Sequence, residues 1–347
     1  MLRQTKNELQ LTVKIQGVSP LLIKDGRESM HSKGDGGAMP HMVFQSRLTP
    51  KELREAVTAN ALGTIRPKLF IPGSSVRGAW RSHLEKSLRS LDKVSKVCDP
   101  FAGLGPESGD GDHLEVKAAR ADDSCSSFLA NQEDSATEHA YRESCPICQL
   151  FGNAAQGSRI AFGDGKVTGG TPALIDNNAI SRQTGAAISP FKSLVLLNAE
   201  VETEIQLRNF ELWQAGLLAH LFDDLANGFV RLGSGKSKGW GRVTAKAATM
   251  KITYFGLGDR FAEGKILGVP EMLPEAATRH YGMRANASVP PMPASTADPG
   301  SSLWRHSATI TDPGAFWDAC RPYFNEPSWN ATDSLDARRT MRAEVRA

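Results

Sequence analysis

Between Leu232 and Val243 the chain reads LGSGKSKGWGRV, with four glycines in nine residues and Lys236, Lys238 and Arg242 among them. A segment this rich in glycine cannot run through a helix or strand. It has to turn, and its backbone N–H groups can approach an anion closely. Gly235-Lys236-Ser237 imitates a nucleotide-binding phosphate loop, which also needs a glycine where this chain has Val230, and a helix afterwards. A strand pattern follows instead, from Gly241 to about Phe255, which excludes nucleotide hydrolysis. What stays open is a hairpin turn or an anion cradle built from Gly233, Ser234, Gly235, Lys236, Lys238 and Arg242.

The rest of the chain reads as alternating strands and helices. Leu9, Leu11, Val13 and Ile15 alternate with polar residues, the period of a half-buried strand. Residues 23–42 are polar and glycine-rich, a loop. A short strand at Lys68–Ile71 runs into Pro72-Gly73-Ser74-Ser75, where Ser74 or Ser75 is a candidate N-cap for a helix over about 76–93. Val76, Trp80, Leu84, Leu88 and Leu91 form its apolar stripe, and Arg77, Arg81 and Arg89 lie off it. Residues 98–148 read as an insertion, Arg159–Phe162 as a strand, Ser193–Leu207 as two strands, and Leu212–Leu225 as an amphipathic helix. This order predicts an α+β, ferredoxin-like (RRM-like) palm with long insertions. Its antiparallel sheet would leave one face open, a platform that RNA-binding folds use. The expected layout is a domain over 1–283, a linker over 284–302 rich in Pro and Ser, and an appendage or tail over 303–347.

Two further segments carry chemistry. A helix start with free amides, Ser74, Ser75, Arg77 and Arg81 suits phosphate, although a plain cap with solvated arginines fits equally. Cys145-Pro146-Ile147-Cys148 is a knuckle which, with Cys98 and Cys125, can close a tetrahedral structural zinc site; His113 and His139 are spare ligands. The alternative is a set of reduced thiols. The context does not suit a redox pair.

The net charge of +3 hides a segregation. Residues 51–97 hold ten basic and four acidic residues, 98–138 hold ten acidic and two basic, and 229–251 hold six basic and none acidic. Such blocks suit a protein with one surface that attracts a polyanion. No run of about 18 apolar residues exists to span a membrane, and the N-terminal segment lacks an apolar signal core, so the cytoplasm is the expected location. The 40% apolar content is that of a globular chain.

Taken together, IPGSSVRGAWRSHLE, CPICQLFGN followed by SRIAFGDG, ISRQTGAA and GSGKSKGWGRV resemble, in this order over residues 8 to about 255, the RAMP superfamily (repeat-associated mysterious proteins). Within it they resemble the repeating backbone subunit of class 1 CRISPR effector complexes, type IV-like and related to the type III subunit. The resemblance implies a guide-RNA (crRNA) binding subunit that lines up with other copies of itself in a helical filament. It also implies a thumb hairpin, around 165–192, carrying Arg182, Gln183 and Thr184 into the guide–target duplex. The target would be DNA or RNA, and the partners other complex subunits, among them a helicase. Ser74, Ser75, Arg77 and Arg81, with the glycine-rich loop, would hold guide phosphates.

In target-cutting relatives an aspartate in the first long loop acts in cleavage. Here His41 stands in that register, with Asp25 and Asp35 nearby. The expectation is a subunit that does not cleave. The alternative is a metal-dependent endoribonuclease using Asp35 or Asp25, with His41 a weaker candidate. Guide processing would require a matched acid/base pair of histidines, which the sequence does not offer.

Overall fold

The computed structural model describes residues 4–25, 40, 42–91, 97–99, 124–130, 140–178, 180–186, 191–256, 264–283, 285–298 and 304–325. Asp35, His41, His113 and His139 lie outside the described residues.

The palm is an antiparallel βαββαβ unit. Strand β1 (Asn7–Gly17) is followed by a short helix α1 (Pro50–Thr58), a two-residue strand β2 (Phe70–Ile71) and helix α2 (Gly73–Arg89). The insertion contributes α3 (Cys125–Ala130) and α4 (Pro146–Phe151). Then come β3 (Ile160–Phe162), β4 (Gly165–Asn177), β5 (Phe191–Arg208), helix α5 (Leu212–Ala226) and β6 (Val243–Phe255). Helix α6 (Glu275–His280), strands β7 (Ser295–Ala297) and β8 (Arg305–Ile310), and helix α7 (Pro313–Asn325) complete the described chain. The sheet order is β2-β4-β5-β1-β6-β8-β7, with β3 also on β5. Its central four strands, β4-β5-β1-β6, follow the ferredoxin-like order, as the element pattern predicted.

The alternation of β1 sends Leu9, Leu11, Val13 and Ile15 into the core beneath the helices. Helices α2, α5 and α7 are joined there by aromatic rings. Trp80 of α2 meets Phe162 and Phe222 edge-on at 5.2 and 5.5 Å between ring centres, and Phe222 stacks on Trp317 of α7 at 4.9 Å. Each such pair contributes about 0.5–1.5 kcal/mol beyond its burial. Helix α7 approaches α5 at Gly216, where a methyl group would lie 2.7 Å from the Cys320 carbonyl oxygen.

Several sequence expectations shift. Helix α2 begins at Gly73, with Pro72 at the cap position, so neither Ser74 nor Ser75 caps it. Ser193–Leu207 lies within one strand of 18 residues rather than two. Residues 304–325 belong to the core: β8 pairs with β6, and Phe316, Trp317 and Cys320 are buried. The span 284–302 contributes β7, which pairs with β8.

The open face of the sheet is polar. Across β5, β1 and β6 its rows read Glu200–Gln16–Thr244, Glu202–Lys14–Lys246, Glu204–Thr12–Thr249 and Gln206–Gln10–Lys251. They carry no aromatic side chain, and their three carboxylates offset their three lysines, so these rows offer neither a stacking surface nor a net positive charge. The sheet platform anticipated for RNA is therefore not built here.

Candidate nucleic-acid interface and metal centre

The glycine-rich segment leaves the sheet as a ribbon closed by the bridge between Arg231 and Arg242. It is anchored to the chain just after β1. Ser234 N donates to the Leu22 carbonyl at 2.8 Å, and Gly241 N to the Pro20 carbonyl at 2.9 Å. Gly233 and Gly241 both have positive φ, 80° and 77°. A methyl group at Gly233 would lie 2.3 Å from Leu22 O, and one at Gly241 2.2 Å from Leu232 O. These two glycines are required by close approach as well as by conformation. Lys236–Lys238 form one 3-10 turn at the tip.

The two lysines of that turn differ. Lys238 Nζ donates to Asn177 Oδ1 at 2.7 Å and lies over the Phe191 and Trp240 rings, at 4.9 and 5.3 Å from their centres. It pins the loop to the far end of the paired β4–β5 ladder. The exposed Lys236 has no ion-pair partner among the described residues. Partial burial, and then the neighbouring Lys86 and Arg231 cations, hold its pKa below the ordinary lysine value. Arg231 reaches the Lys236 carbonyl at 2.8 Å. Lys86, Arg231, Lys236 and the exposed Arg242 thus form a cationic surface without a carboxylate counterpart among the described residues.

The hairpin of β4 and β5 continues beyond the palm to the pair Asn177–Phe191. Past it, Ser181–Ala186 forms a turn in which Ser181 Oγ accepts from the Gln183 and Thr184 amides at 3.3 and 3.2 Å. Arg182, Gln183 and Thr184 are exposed there, beside an exposed Ile180.

The other expected phosphate site is arranged differently. At the start of α2 the Gly73 amide donates to Asp164 Oδ1 at 3.0 Å, so a carboxylate already stands where an anion would bind. Ser74 is exposed. Arg77 donates to the Phe151 carbonyl. Arg81 directs Nε to Glu85 at 2.8 Å, Nη1 to the Gly152 carbonyl at 3.1 Å and Nη2 to Cys148 Sγ at 3.4 Å. Arg89 donates to the Cys98 carbonyl at 2.7 Å. All three arginines of this helix face therefore turn toward the cysteine insertion.

Cys98, Cys125, Cys145 and Cys148 are buried, and their sulfurs all lie within 4.8 Å of one another. Cys98 Sγ is 3.6 Å from both Cys145 Sγ and Cys148 Sγ. A tetrahedron with ~2.3 Å metal–sulfur bonds has edges of about 3.8 Å, so the spacing fits one ion. The Cys145 amide donates to Cys125 Sγ at 3.2 Å and the Cys148 amide to Cys145 Sγ at 3.4 Å, contacts that favour thiolates. Burial opposes the Arg81 charge, but the Glu85 carboxylate and the Cys148 and Cys145 sulfurs more than offset it, raising its pKa. The sequence singled out the four cysteines that the fold gathers and missed the arginines beside them. Cys320 stands apart, and burial pushes its thiol up.

Asp25 sits at the root of the first long loop, its amide donating to the Val43 carbonyl at 3.0 Å. No described helix is long and apolar enough to cross a membrane. A family model described as RAMPs, RAMP superfamily, matches residues 14–244. No curated protein matches the chain.

Proposed function

The chain belongs to the RAMP superfamily, whose members are CRISPR-associated RNA-binding subunits, and from that premise we propose that it is a backbone subunit of a CRISPR interference complex. It binds crRNA, lines up with further copies along it, and presents it for pairing with target DNA or RNA without cutting that strand. The observation that carries this reading is the cationic surface of Lys86, Arg231, Lys236 and Arg242, beside a backbone-lined glycine ribbon. Cations and main-chain amides recognise phosphates without reading sequence, as a subunit accepting any guide requires. The exposed Ile180 and Arg182 at the hairpin tip suit a wedge between stacked bases. We assign zinc to the four-cysteine cluster, held by Cys98, Cys125, Cys145 and Cys148 and structural in role.

The absence of cleavage rests on His41 standing in the register of the relatives' aspartate. Incubating the assembled complex with labelled complementary RNA and magnesium tests it. Intact RNA is expected; a ladder of products at fixed intervals, lost in Asp35→Ala, would mean a type III-like endoribonuclease instead.

A further inference from the structure

The ribbon that carries the glycine loop also exposes an aromatic ring that neither the fold nor the phosphate contacts require. Phe229 follows α5, its amide bonded to the Asp224 carbonyl at 2.9 Å, yet its side chain is 69% exposed. Its chain neighbour Val230 and the next inward residue, Leu232, are buried. Alternation along this extended stretch therefore puts Phe229 and Arg231 on the same outer side. Arg242 is the bridge partner of Arg231, and its guanidinium passes the turn beside Phe229, with Nη2 3.8 Å from a methyl group built at Gly228. Val18, whose amide donates to the Arg242 carbonyl at 2.8 Å, is 55% exposed on this ribbon. Phe229 is thus exposed on the side of Arg231, with the Arg242 guanidinium near the adjacent Gly228, and neither arginine has an ion-pair partner among the described residues. An exposed apolar ring with cations nearby suits a nucleobase attached to its phosphate.

We propose that Phe229 is a base-stacking residue: an unpaired nucleobase of the bound RNA lies on its ring while Arg231 and Arg242 hold the adjoining phosphates. This rests on the RNA-binding reading above and adds a contact of a different chemical kind. Phosphate contacts depend on charge and on salt. A stack depends on neither, and tolerates any base because every base has a π face. Sequence-independent binding is therefore preserved.

The test uses the full chain and two polyanions, a single-stranded oligoribonucleotide carrying 2-aminopurine and inorganic polyphosphate, which has no bases. Phe229→Ala should weaken oligoribonucleotide binding about tenfold, the size of one lost stack. Polyphosphate affinity and the salt slope should stay as in the parent chain. Phe229→Trp should restore the affinity and quench the 2-aminopurine fluorescence. Arg231→Ala should weaken both ligands and reduce the salt slope. The proposal is overturned if Phe229→Ala binds RNA as well as the parent, or loses RNA and polyphosphate equally. It is also overturned if the variant impairs self-association alone, which would make the ring a contact between copies. Failure of the parent chain to bind the oligoribonucleotide at any salt would instead remove the RNA-binding reading itself.

Discussion

Arg81 places every guanidinium nitrogen on a partner: Glu85 on its own helix, Cys148 in the cysteine knuckle, and Gly152 at the end of α4. A zinc ion with four thiolates carries two negative charges in a buried setting, where an uncompensated charge is costly. Arg77, Arg81 and Arg89, set against the buried Glu85, supply two positive charges from the facing helix. Arg81→Ala should therefore lower zinc affinity by about 10–100-fold, read by competition with a chromogenic chelator, while leaving the salt slope of RNA binding unchanged. A slope reduced by about one would return Arg81 to the phosphate contacts. The two loop lysines should likewise separate. Lys236→Ala should weaken binding to all RNA sequences alike and flatten the slope, whereas Lys238→Ala should chiefly loosen the junction of loop and hairpin, seen as faster amide exchange around Asn177. The sequence displayed all of these residues, but not their direction. Arg77, Arg81 and Arg89 are spaced by four and eight, so they share one helix face. That spacing was the available signal that they serve a common partner, and nothing local named the cysteines as that partner.

At the scale of elements, the glycine ribbon was legible because its chemistry is local: positive φ and close approach leave few residue choices. Gly241→Ala would force a methyl group against Leu232 O at a φ of 77°. It should cost roughly 1–3 kcal/mol from strain alone, measured as a lower urea midpoint at unchanged slope. The long hairpin was less legible. Asn198 has φ of 48° in β5, opposite the irregular pairing at Gly169 and Gly170 in β4. In sequence that bulge looks like the end of one strand and the start of another, and β4, with three glycines and a proline in its 13 residues, shows no clear alternation. The sheet tolerates both because β5 has partners on either side. Helix α7 was hidden by its polar surroundings, although Phe316, Trp317, Cys320, Tyr323 and Phe324 fall on one helical face. Trp317→Ala should cost about 3–5 kcal/mol, followed by thermal unfolding, since the residue stacks on Phe222 in the centre of the helical layer.

Across the whole molecule, alternating segments were enough to reach the ferredoxin-like order, because β1, α2, α5 and β6 each announce themselves within a dozen residues. The partners of the insertion were out of reach because its contacts with α2 span some 10–75 residues of chain. Metal removal should expose that dependence. Stripping the protein with a chelator should release about one zinc per chain and lower the melting temperature, and re-addition should restore it. Recovery of no metal from purified protein would leave the cysteines as buried thiols.

The hairpin that leads to Ile180 and Arg182 shares a strand with the palm. Its second strand is the same β5 that pairs with β1 and β3 in the sheet, 18 residues long with one irregularity at Asn198, opposite Gly169 and Gly170. The length of its paired ladder, which runs out to Asn177–Phe191, follows from strand rise, about 3.3 Å per residue. Lengthening both arms by two residues would carry the tip outward by roughly 7 Å with the same side chains facing the same way. Adding one residue to each arm would turn the added section over, so that its outward side chains face inward. A hairpin built this way can be lengthened without turning its side chains over only in pairs of residues, so its length comes in steps of about 7 Å.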